Sequence, residues 1–447
     1  MSDRITVIGA GLAGCEAAWQ AAQRGAKVTL IEMKPNRYSP AHHNPGFAEL
    51  VCSNSLRSDQ LANAAGLLKA ELRKLGSLIM EAADANSVPA GSSLAVDREK
   101  FSDYITNKIK NHPNIEVVER EADSLGDGIN IIATGPLTSD ALSECIGGLV
   151  GSGLHFFDAA APIVEASSLD MDKVFLASRY GKGEACYLNC PMTKEQYDTF
   201  YNELINAKEA ELHDFDRDEQ AKEDLTVFEG CMPVEVMAKR GHDTLLFGPL
   251  KPVGLPDPKT GKEAYAVVQL RQENTSASMY NLVGFQTHLT FGEQKRVFGL
   301  IPGLENAEFI RYGVMHRNTF IDSPKNLDAD YSMRKDKNIF FAGQITGVEG
   351  YIESTSSGYV AGLNAYRRLN GLDPIIFPDN TAIGALAAYI SNPANENFQP
   401  MNASFGLMRP LGRKVKGGKS ARHTAQAEDA LLEIDTIKGI ICNEDNT

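Results

Sequence analysis

Residues 4–32 read Arg4-Ile5-Thr6-Val7-Ile8-Gly9-Ala10-Gly11-Leu12-Ala13-Gly14-Cys15-Glu16-Ala17-Ala18-Trp19-Gln20-Ala21-Ala22-Gln23-Arg24-Gly25-Ala26-Lys27-Val28-Thr29-Leu30-Ile31-Glu32. The apolar run Ile5 to Ile8 predicts a strand, Cys15 to Gln23 a helix that stops at Gly25, and Lys27 to Ile31 a second strand that ends in an acid. Strand, GxGxxG, helix, strand and acid within about 30 residues is the pattern of a dinucleotide-binding βαβ unit. Gly9 permits the tight turn, Gly11 lets a pyrophosphate approach the backbone, and Gly14 lets the helix lie close to the strand. The helix start offers phosphates free N–H groups and a partial positive charge. Glu32 is placed to accept hydrogen bonds from ribose hydroxyls.

Two distant segments favour FAD over NAD in that unit. Gly128-Ile129-Asn130-Ile131-Ile132-Ala133-Thr134-Gly135-Pro136 is a strand ending in Ala-Thr-Gly, as at the corresponding junction of flavoproteins. Asn338-Ile339-Phe340-Phe341-Ala342-Gly343-Gln344 is another strand, followed by Ile345-Thr346-Gly347-Val348-Glu349-Gly350-Tyr351 and a helix expected from Ile352 to Leu369. The start of that helix points its positive end toward the place of a flavin ring. Gln344 departs from the Asp that flavoproteins of this type carry there. Phe340 and Phe341 read as core aromatics.

The fold expected is therefore α/β, a Rossmann-like FAD-binding domain built from both chain ends around an inserted mixed α/β domain. The divisions are residues 1–184, an insertion over 185–325, a return to the first domain over 326–423, and a short acidic tail over 424–447. Within the insertion, 193–221 reads as a charged helix, 249–262 as a turn-rich stretch and 264–270 as a strand. One helix is expected in the tail, over 425–434.

Composition bounds the function. Apolar residues make up 43% of the 447, charged residues 23%. Those are globular proportions, and no run reaches the 18 or so apolar residues of a membrane span. A soluble cytoplasmic chain without membrane contact or obligate protein partner is the expectation. The net charge of −14 argues against a general nucleic-acid coat, which needs basic surface to displace counterions. It leaves room for one local RNA patch. The best candidate is Arg409, Arg413, Lys414, Lys416, Lys419 and Arg422, which by spacing alone reads as a solvated basic loop.

Seven cysteines, at 15, 52, 145, 186, 190, 231 and 442, form no CxxC pair, so neither a disulfide framework nor a metal site is indicated. Two have unusual settings. Cys52 sits in Val51-Cys52-Ser53-Asn54-Ser55-Leu56-Arg57, before a cap-rich stretch that reads as a helix start, a setting in which the helix N-terminus and Arg57 favour a thiolate. Cys231 lies in Phe228-Glu229-Gly230-Cys231-Met232-Pro233, where Gly and Pro imply a fixed bend. For any lone cysteine, burial as a small hydrophobe is the commoner role. Cys15, Cys145 and Cys442 read as such packing residues.

The segments Gly9 to Gly14, Val51 to Ser55, Phe228 to Pro233, Tyr312-Gly313-Val314-Met315-His316-Arg317-Asn318 and Gly343 to Tyr351 together resemble the bacterial FAD- and folate-dependent tRNA (uracil-5-)-methyltransferases. The resemblance runs from Ile5 to about Arg413. It implies a glucose-inhibited division protein A-like fold and methylation of C5 of the T-loop uridine, position 54 of tRNA. The carbon would come from 5,10-methylenetetrahydrofolate, and the reducing equivalents from NAD(P)H through FAD. It further implies that Cys231 adds to uracil C6 and that Cys52 is a second thiol near the flavin, as base or guard. Glu349, Gly350 and Tyr351 would lie at the flavin, with Gly9, Ala10, Gly11, Leu12, Ala13, Gly14, Glu32, Gly135, Gly343 and Gln344 around the rest of FAD. His316 and Arg317 are candidates for folate or phosphate, although a structural loop His is equally in play. Under the same resemblance the 409–422 patch becomes a candidate RNA contact, with Arg311, Arg317, Lys239 and Arg240 as further ones.

Three rivals share features. The larger wobble-uridine carboxymethylaminomethyl-modifying enzymes carry a long helical C-terminal extension, for which residues 370–447 leave no room. A paralogue acting on a ribosomal RNA uridine by the same chemistry has no distinguishing motif here. An NAD(P)H-dependent flavin oxidoreductase with a small-molecule substrate would need no nucleophilic thiol.

Overall fold

The apolar run that opens the chain becomes the centre of a five-stranded parallel sheet, as the strand Arg4–Ile8. Lys27–Glu32 pairs on one side of it and Ile129–Ile132 on the other, with Ile8 opposite both Ile31 and Ile132. Ile115–Glu119 lies beyond the first and Ile339–Phe341 beyond the second. A strand near residue 340 thus sits two places from one near residue 5, and the sheet draws on both parts of the chain. The central strands are almost wholly buried, which is why they read as continuous apolar runs rather than alternating ones. The computed structural model describes residues 4–151, 154–159, 161–181, 184–210, 232–273, 276–313, 315–395 and 398–444.

Two helices pack tightly beside this sheet, Leu12–Gln23 and Tyr351–Leu369. A Cβ on Gly358 would stand 2.2 Å from the Ala13 carbonyl oxygen, and one on Gly362 would stand 2.4 Å from that of Ala17. The backbones therefore meet through glycine on one helix and alanine on the other, a spacing no larger pair permits. Phe340 and Phe341 are buried, as expected of core aromatics.

The second sheet has six antiparallel strands, in the order 175–177, 187–192, 266–272, 279–282, 163–165 and 309–311. Two of them precede residue 184. Tyr197, Phe200 and Leu204 of helix Lys194–Ile205 join Leu188, Val268, Leu270 and Phe298 in its own core. A two-stranded ribbon, Leu154–Ala159 with Met315–Phe320, and a small sheet of Ser55–Ser58, Ser93–Val96 and Ser87–Val88 complete the strands.

Several element limits differ from the sequence reading. The helix expected over 193–221 begins where Thr193 and Gln196 form a capping box, but ends at Ile205. Beyond it Glu209 bridges to Leu289, and residues 211–221 lie outside the described residues. The helix expected over 425–434 runs instead over Gly418–Glu444. Ala427, Ala430, Ile434, Ile437 and Ile441 recur at steps of three and four and bury one face. That stripe packs on the helix Ala64–Leu75, and Lys74 pairs with Asp435 at its edge. Cys442 lies off the stripe and is exposed, contrary to the packing role expected, while Cys145 is half-buried and Cys15 fully buried.

Glu71, on helix Ala64–Leu75, caps another helix. Its carboxyl oxygens accept from Ala382 N at 2.7 Å and Ile383 N at 2.9 Å, at the start of Ala382–Ser391. Burial pushes its pKa from 4.5 up to about 8, against the pull of the two N–H donors. Because the folded state binds this proton more tightly, the stability it contributes is full below about pH 4.5 and declines as pH rises to about 8. Glu71→Gln should abolish that decline. It should also cost about 1–3 kcal/mol at pH 5, since one buried N–H loses its acceptor. Urea unfolding at pH 5 and pH 8 measures both effects.

Candidate active site

The cleft begins at the turn after the first strand. Gly9 has φ +99°, and a Cβ there would stand 2.7 Å from the Ala133 carbonyl oxygen. A Cβ on Gly14 would stand 1.8 Å from the Gly9 oxygen, so the turn closes only on glycine. A Cβ on Gly11 would meet nothing within 4 Å, which leaves that side of the loop open to a ligand. Gly11 caps helix Leu12–Gln23 without a side-chain hydrogen bond, so the first N–H groups are left for an anion.

Glu32 is 7% exposed, and its carboxylate accepts from Ala10 N at 2.7 Å and Lys34 N at 3.0 Å. The acid thus ties down the glycine loop while each oxygen retains capacity for a further donor. Around it runs a cleft of about 1100 Å³, open to solvent, whose walls include Gly9, Ala10, Gly11, Leu12, Ala13, Glu32, Gly135, Gly343, Gln344 and Tyr351. Thirteen residues were candidates for cofactor contact; Gly14, Glu349 and Gly350 are the ones that do not line it. Gly14 lies beneath the turn. Glu349 is 4% exposed and accepts from Gln344 Nε2 at 2.8 Å, so it orients a wall residue. Gly350, with φ +118°, caps helix Tyr351–Leu369. Lys34, Arg120 and Glu121 also line the cleft. No sequence motif marks them, because they follow strands at the same sheet end.

At one end the cleft meets a thiol. Val51 and Tyr351 line the wall, and the Tyr351 hydroxyl donates to Cys52 Sγ at 3.3 Å. The same oxygen accepts from Cys52 N at 2.8 Å and Ser53 N at 3.3 Å. Burial, and then the neighbouring Cys52, push the Tyr351 hydroxyl well above its ordinary 10, so it stays a donor at neutral pH.

The helix start expected at Cys52 is not formed. Ser53, Ser55 and Ser58 hydroxyls accept from the backbone N–H two residues on, and Ser55–Ser58 pairs as a strand. These polar residues make local turns instead of caps, and the next helix begins at Ala64. Arg57 pairs with Glu353 at 3.2 Å. Arg98 and Arg311 interact electrostatically with Cys52.

Arg98 is buried, which opposes its charge, yet Glu273, Tyr351 and Cys52 hold its pKa above the ordinary value. Arg311 is lowered, first by burial and then by repulsion from Arg98. Arg98 Nη2 and Arg311 Nη2 are buried and have no hydrogen-bond partner among the described residues. Two like charges held together in a dry site favour an anion or a polarised acceptor between them. Arg98 comes from the helix Arg98–Lys110, Arg311 and Glu273 from the second sheet and its margin. Asn54 joins the same seam, donating to Gln272 O at 2.9 Å and accepting from Arg271 Nε at 2.9 Å.

Cys231 lies outside the described residues, as do the side chains of His316 and Arg317. Buried Cys15 and Cys190 have thiols pushed far up by desolvation, consistent with packing roles. In the 409–422 patch all six cations are exposed, with Arg413 bidentate to Asp429 and Arg409 3.5 Å from Asp379. The chain reaches this patch from the cleft margin, where Asn402 and Ala403 bond to Glu349 O and the Glu353 carboxylate. Lys239 pairs with Glu209. Among the described residues no group of three or more His, Cys, Asp or Glu is placed to hold a metal ion, and no helix is long and apolar enough to cross a membrane.

Residues 4–373 match the family described as Glucose inhibited division protein A. The chain is 64% identical to the methylenetetrahydrofolate–tRNA-(uracil-5-)-methyltransferase TrmFO of Acetivibrio thermocellus, over 96% of this chain and 98% of that one. It is 59% identical to the protein of the same name from Ligilactobacillus salivarius, over 98% and 99% of the two chains. In structure it resembles GidA of Aquifex aeolicus, with TM-score 0.71 and 18% identity over 98% of this chain and 73% of that one, a likeness of fold. A glycine cleft built from both parts of the chain, a thiol at its end, and near full-length identity above one half converge: the chain belongs to the glucose inhibited division protein A family, among its methylenetetrahydrofolate–tRNA-(uracil-5-)-methyltransferases.

Proposed function

We propose that this enzyme methylates C5 of the T-loop uridine at position 54 of tRNA, taking carbon from 5,10-methylenetetrahydrofolate and hydride from FADH2 regenerated by NAD(P)H. The observation that carries this reading is the Tyr351–Cys52 contact at the end of the glycine cleft. A simple flavin reductase has no use for a thiol there.

The cleft fits FAD. Gly11 leaves its side of the loop open, the uncapped helix start suits a pyrophosphate, Glu32 can accept from a ribose, and Gly343 and Gln344 line the wall below helix Tyr351–Leu369. When bound, FAD supplies the hydride that reduces the transferred one-carbon unit to methyl. NAD(P)H and folate would use the same cleft end in turn.

Uracil C5 becomes nucleophilic only when a group adds at C6. In this reading the Cys231 thiolate forms the Sγ–C6 bond and sends the C5–C6 electron pair toward the C4 carbonyl, as an enolate. C5 then bonds the one-carbon unit and a base removes the C5 proton, so that the bond from the unit to its carrier breaks as the exocyclic double bond forms. The Sγ–C6 bond breaks last, as hydride reaches the exocyclic carbon and the C5–C6 double bond is restored. Cys52 is the second thiol and the base in this scheme, oriented by the Tyr351 hydroxyl. Arg98 and Arg311 supply positive charge beside it. The uracil must leave the T-loop stack to meet these groups, and the exposed cations at 409–422 contact tRNA phosphates.

Unmodified tRNA transcript incubated with enzyme, 5,10-methylenetetrahydrofolate and NADPH should gain one methyl on the T-loop uridine by fragment mass spectrometry, and none without folate. Methylation of ribosomal RNA in place of tRNA would favour the paralogue reading. Cys52→Ala should slow methylation by about 10²- to 10⁴-fold, the usual contribution of a positioned acid or base. Tyr351→Phe should slow it by about tenfold, the scale of one hydrogen bond. NADPH oxidation by both variants, followed at 340 nm, checks that the cleft still functions. A Lys416→Glu, Lys419→Glu double variant should weaken tRNA binding. Filter binding should also show the slope of log affinity against log salt reduced by about one for each phosphate no longer neutralised.

A further inference from the structure

Three aromatic rings of the second domain stack outside the cleft. The ring of Tyr312 lies 4.7 Å from that of Phe291 at 17° and 5.1 Å from that of Phe309 at 6°. Rings in the core of the same domain meet at steeper angles, as Phe285 and Phe298 do at 80°. Phe309 opens the edge strand Phe309–Arg311, Tyr312 follows it, and Phe291 begins the helix Phe291–Phe298. Phe309 packs against the core of its domain, whereas Phe291 is 54% exposed. A lone exposed phenylalanine is ordinary on a protein surface. Here the exposed ring is the open end of a stack whose other end is anchored.

The stack is also held from behind. Gln294, buried on the helix that carries Phe291, donates through Nε2 to Gly313 O at 2.8 Å and to Leu289 O at 2.7 Å. Its Oε1 accepts from Gly313 N at 2.8 Å, so the helix is locked to the residue after Tyr312. Two cations flank the open ring. Lys295 lies four residues along the helix, on the side of Phe291. Lys208 sits at the helix start, where its carbonyl accepts from Thr290 N at 3.0 Å. Both lysines are exposed and neither has an ion pair among the described residues, although the chain carries a net charge of −14. On the other side of Tyr312 the chain runs into Arg311, which interacts electrostatically with Cys52 at the thiol end of the cleft.

We infer that Phe291 is a stacking platform for one unpaired nucleobase of the RNA substrate, with Lys208 and Lys295 beside it for the flanking phosphates. The inference rests on the reading of this enzyme as an RNA methyltransferase. Bringing a loop uridine to a thiol takes its base out of the stack, and a neighbouring base then loses a partner. A preformed aromatic ring replaces that partner whatever the base, because every base has a π-face. A protein partner matches this surface less well, since lysine is depleted at protein interfaces and a single ring offers little apolar area.

The test uses full-length enzyme and unmodified T-arm hairpins that carry 2-aminopurine at one loop position at a time, the target uridine excepted. The fluorescence of 2-aminopurine falls when it stacks. At one position the unaltered enzyme should quench it, and Phe291→Ala and Phe291→Leu should not, although leucine keeps the apolar bulk. Phe291→Trp should restore the quench. Filter binding of tRNA transcript should weaken by about 5- to 150-fold in Phe291→Ala, the range for one base on one ring. In methylation assays the loss should fall on KM for tRNA rather than on kcat, as for a contact made equally before and at the transition state. A Lys208→Gln, Lys295→Gln double variant should lower the slope of log affinity against log salt by about 0.7 for each single-strand phosphate released. Circular dichroism and thermal melting check that each variant is folded. No quench at any loop position by the unaltered enzyme overturns the inference, whether or not the variants fold. Unchanged tRNA binding by folded Phe291→Ala overturns it too, and a dimer that this substitution dissolves, seen by light scattering, would then give the ring to a contact between copies. Were the unaltered enzyme to methylate ribosomal RNA in place of tRNA, the T-loop reading would fall, and the platform would stand or fall on the same Phe291 comparison with that RNA.

Discussion

The structure depends on backbones that approach closer than any side chain would allow. Helix Leu12–Gln23 is pressed against the turn at its own start, where Gly14 meets the Gly9 carbonyl, and against helix Tyr351–Leu369, where Gly358 and Gly362 meet Ala13 and Ala17. These approaches join the first residues of the chain to a helix more than 300 residues later. They also set the cleft, because the helix that closes the glycine turn is the one the later helix rests upon. A methyl group at any of these glycines would have to displace backbone, which a close-packed interior resists.

From that frame the thiol end of the cleft follows through a seam between the two sheets. Asn54 and Ser53 are tied to Arg271 of the second sheet, Arg98 to Glu273 beside it, and Cys52 to Tyr351 of the first domain's helix. Each domain has its own core, so the seam is polar and carries charge. Buried guanidinium groups are costly unless matched. Arg98 has one carboxylate and Arg311 is pushed down beside it, an imbalance that suits a site where negative charge is to be received.

Much of the first domain was legible in the sequence because its signals are local. The strand, glycine turn, helix and acid of residues 4–32 need only a fixed spacing, and the structure forms each of them, with the helix starting at Leu12 rather than Cys15. The Ala-Thr-Gly junction and the Gly343 strand end likewise reached the cleft. Failures arose where one local pattern serves two structures. The serines after Cys52 suit helix caps and serine turns equally, and strand pairing with Ser93–Val96 chose the turns. The helix Gly418–Glu444 extends past its expected end because Ile437 and Ile441 continue the buried stripe of a helix that packs on Ala64–Leu75.

The sequence by itself determined the nucleotide fold, its glycine cleft and the family, since these rest on short-range spacing and on motifs carried whole. Tertiary structure alone decided that Arg98 and Arg311, distant in the chain, act on Cys52, while Arg57 pairs with Glu353. It also decided that Glu349 orients Gln344, and that Glu209, Glu235 and His288 meet at one imidazole. The physical reason is the same in each case. Charge acts through space over a few ångströms, and residues far apart in the chain come within that range only when two separate cores have packed.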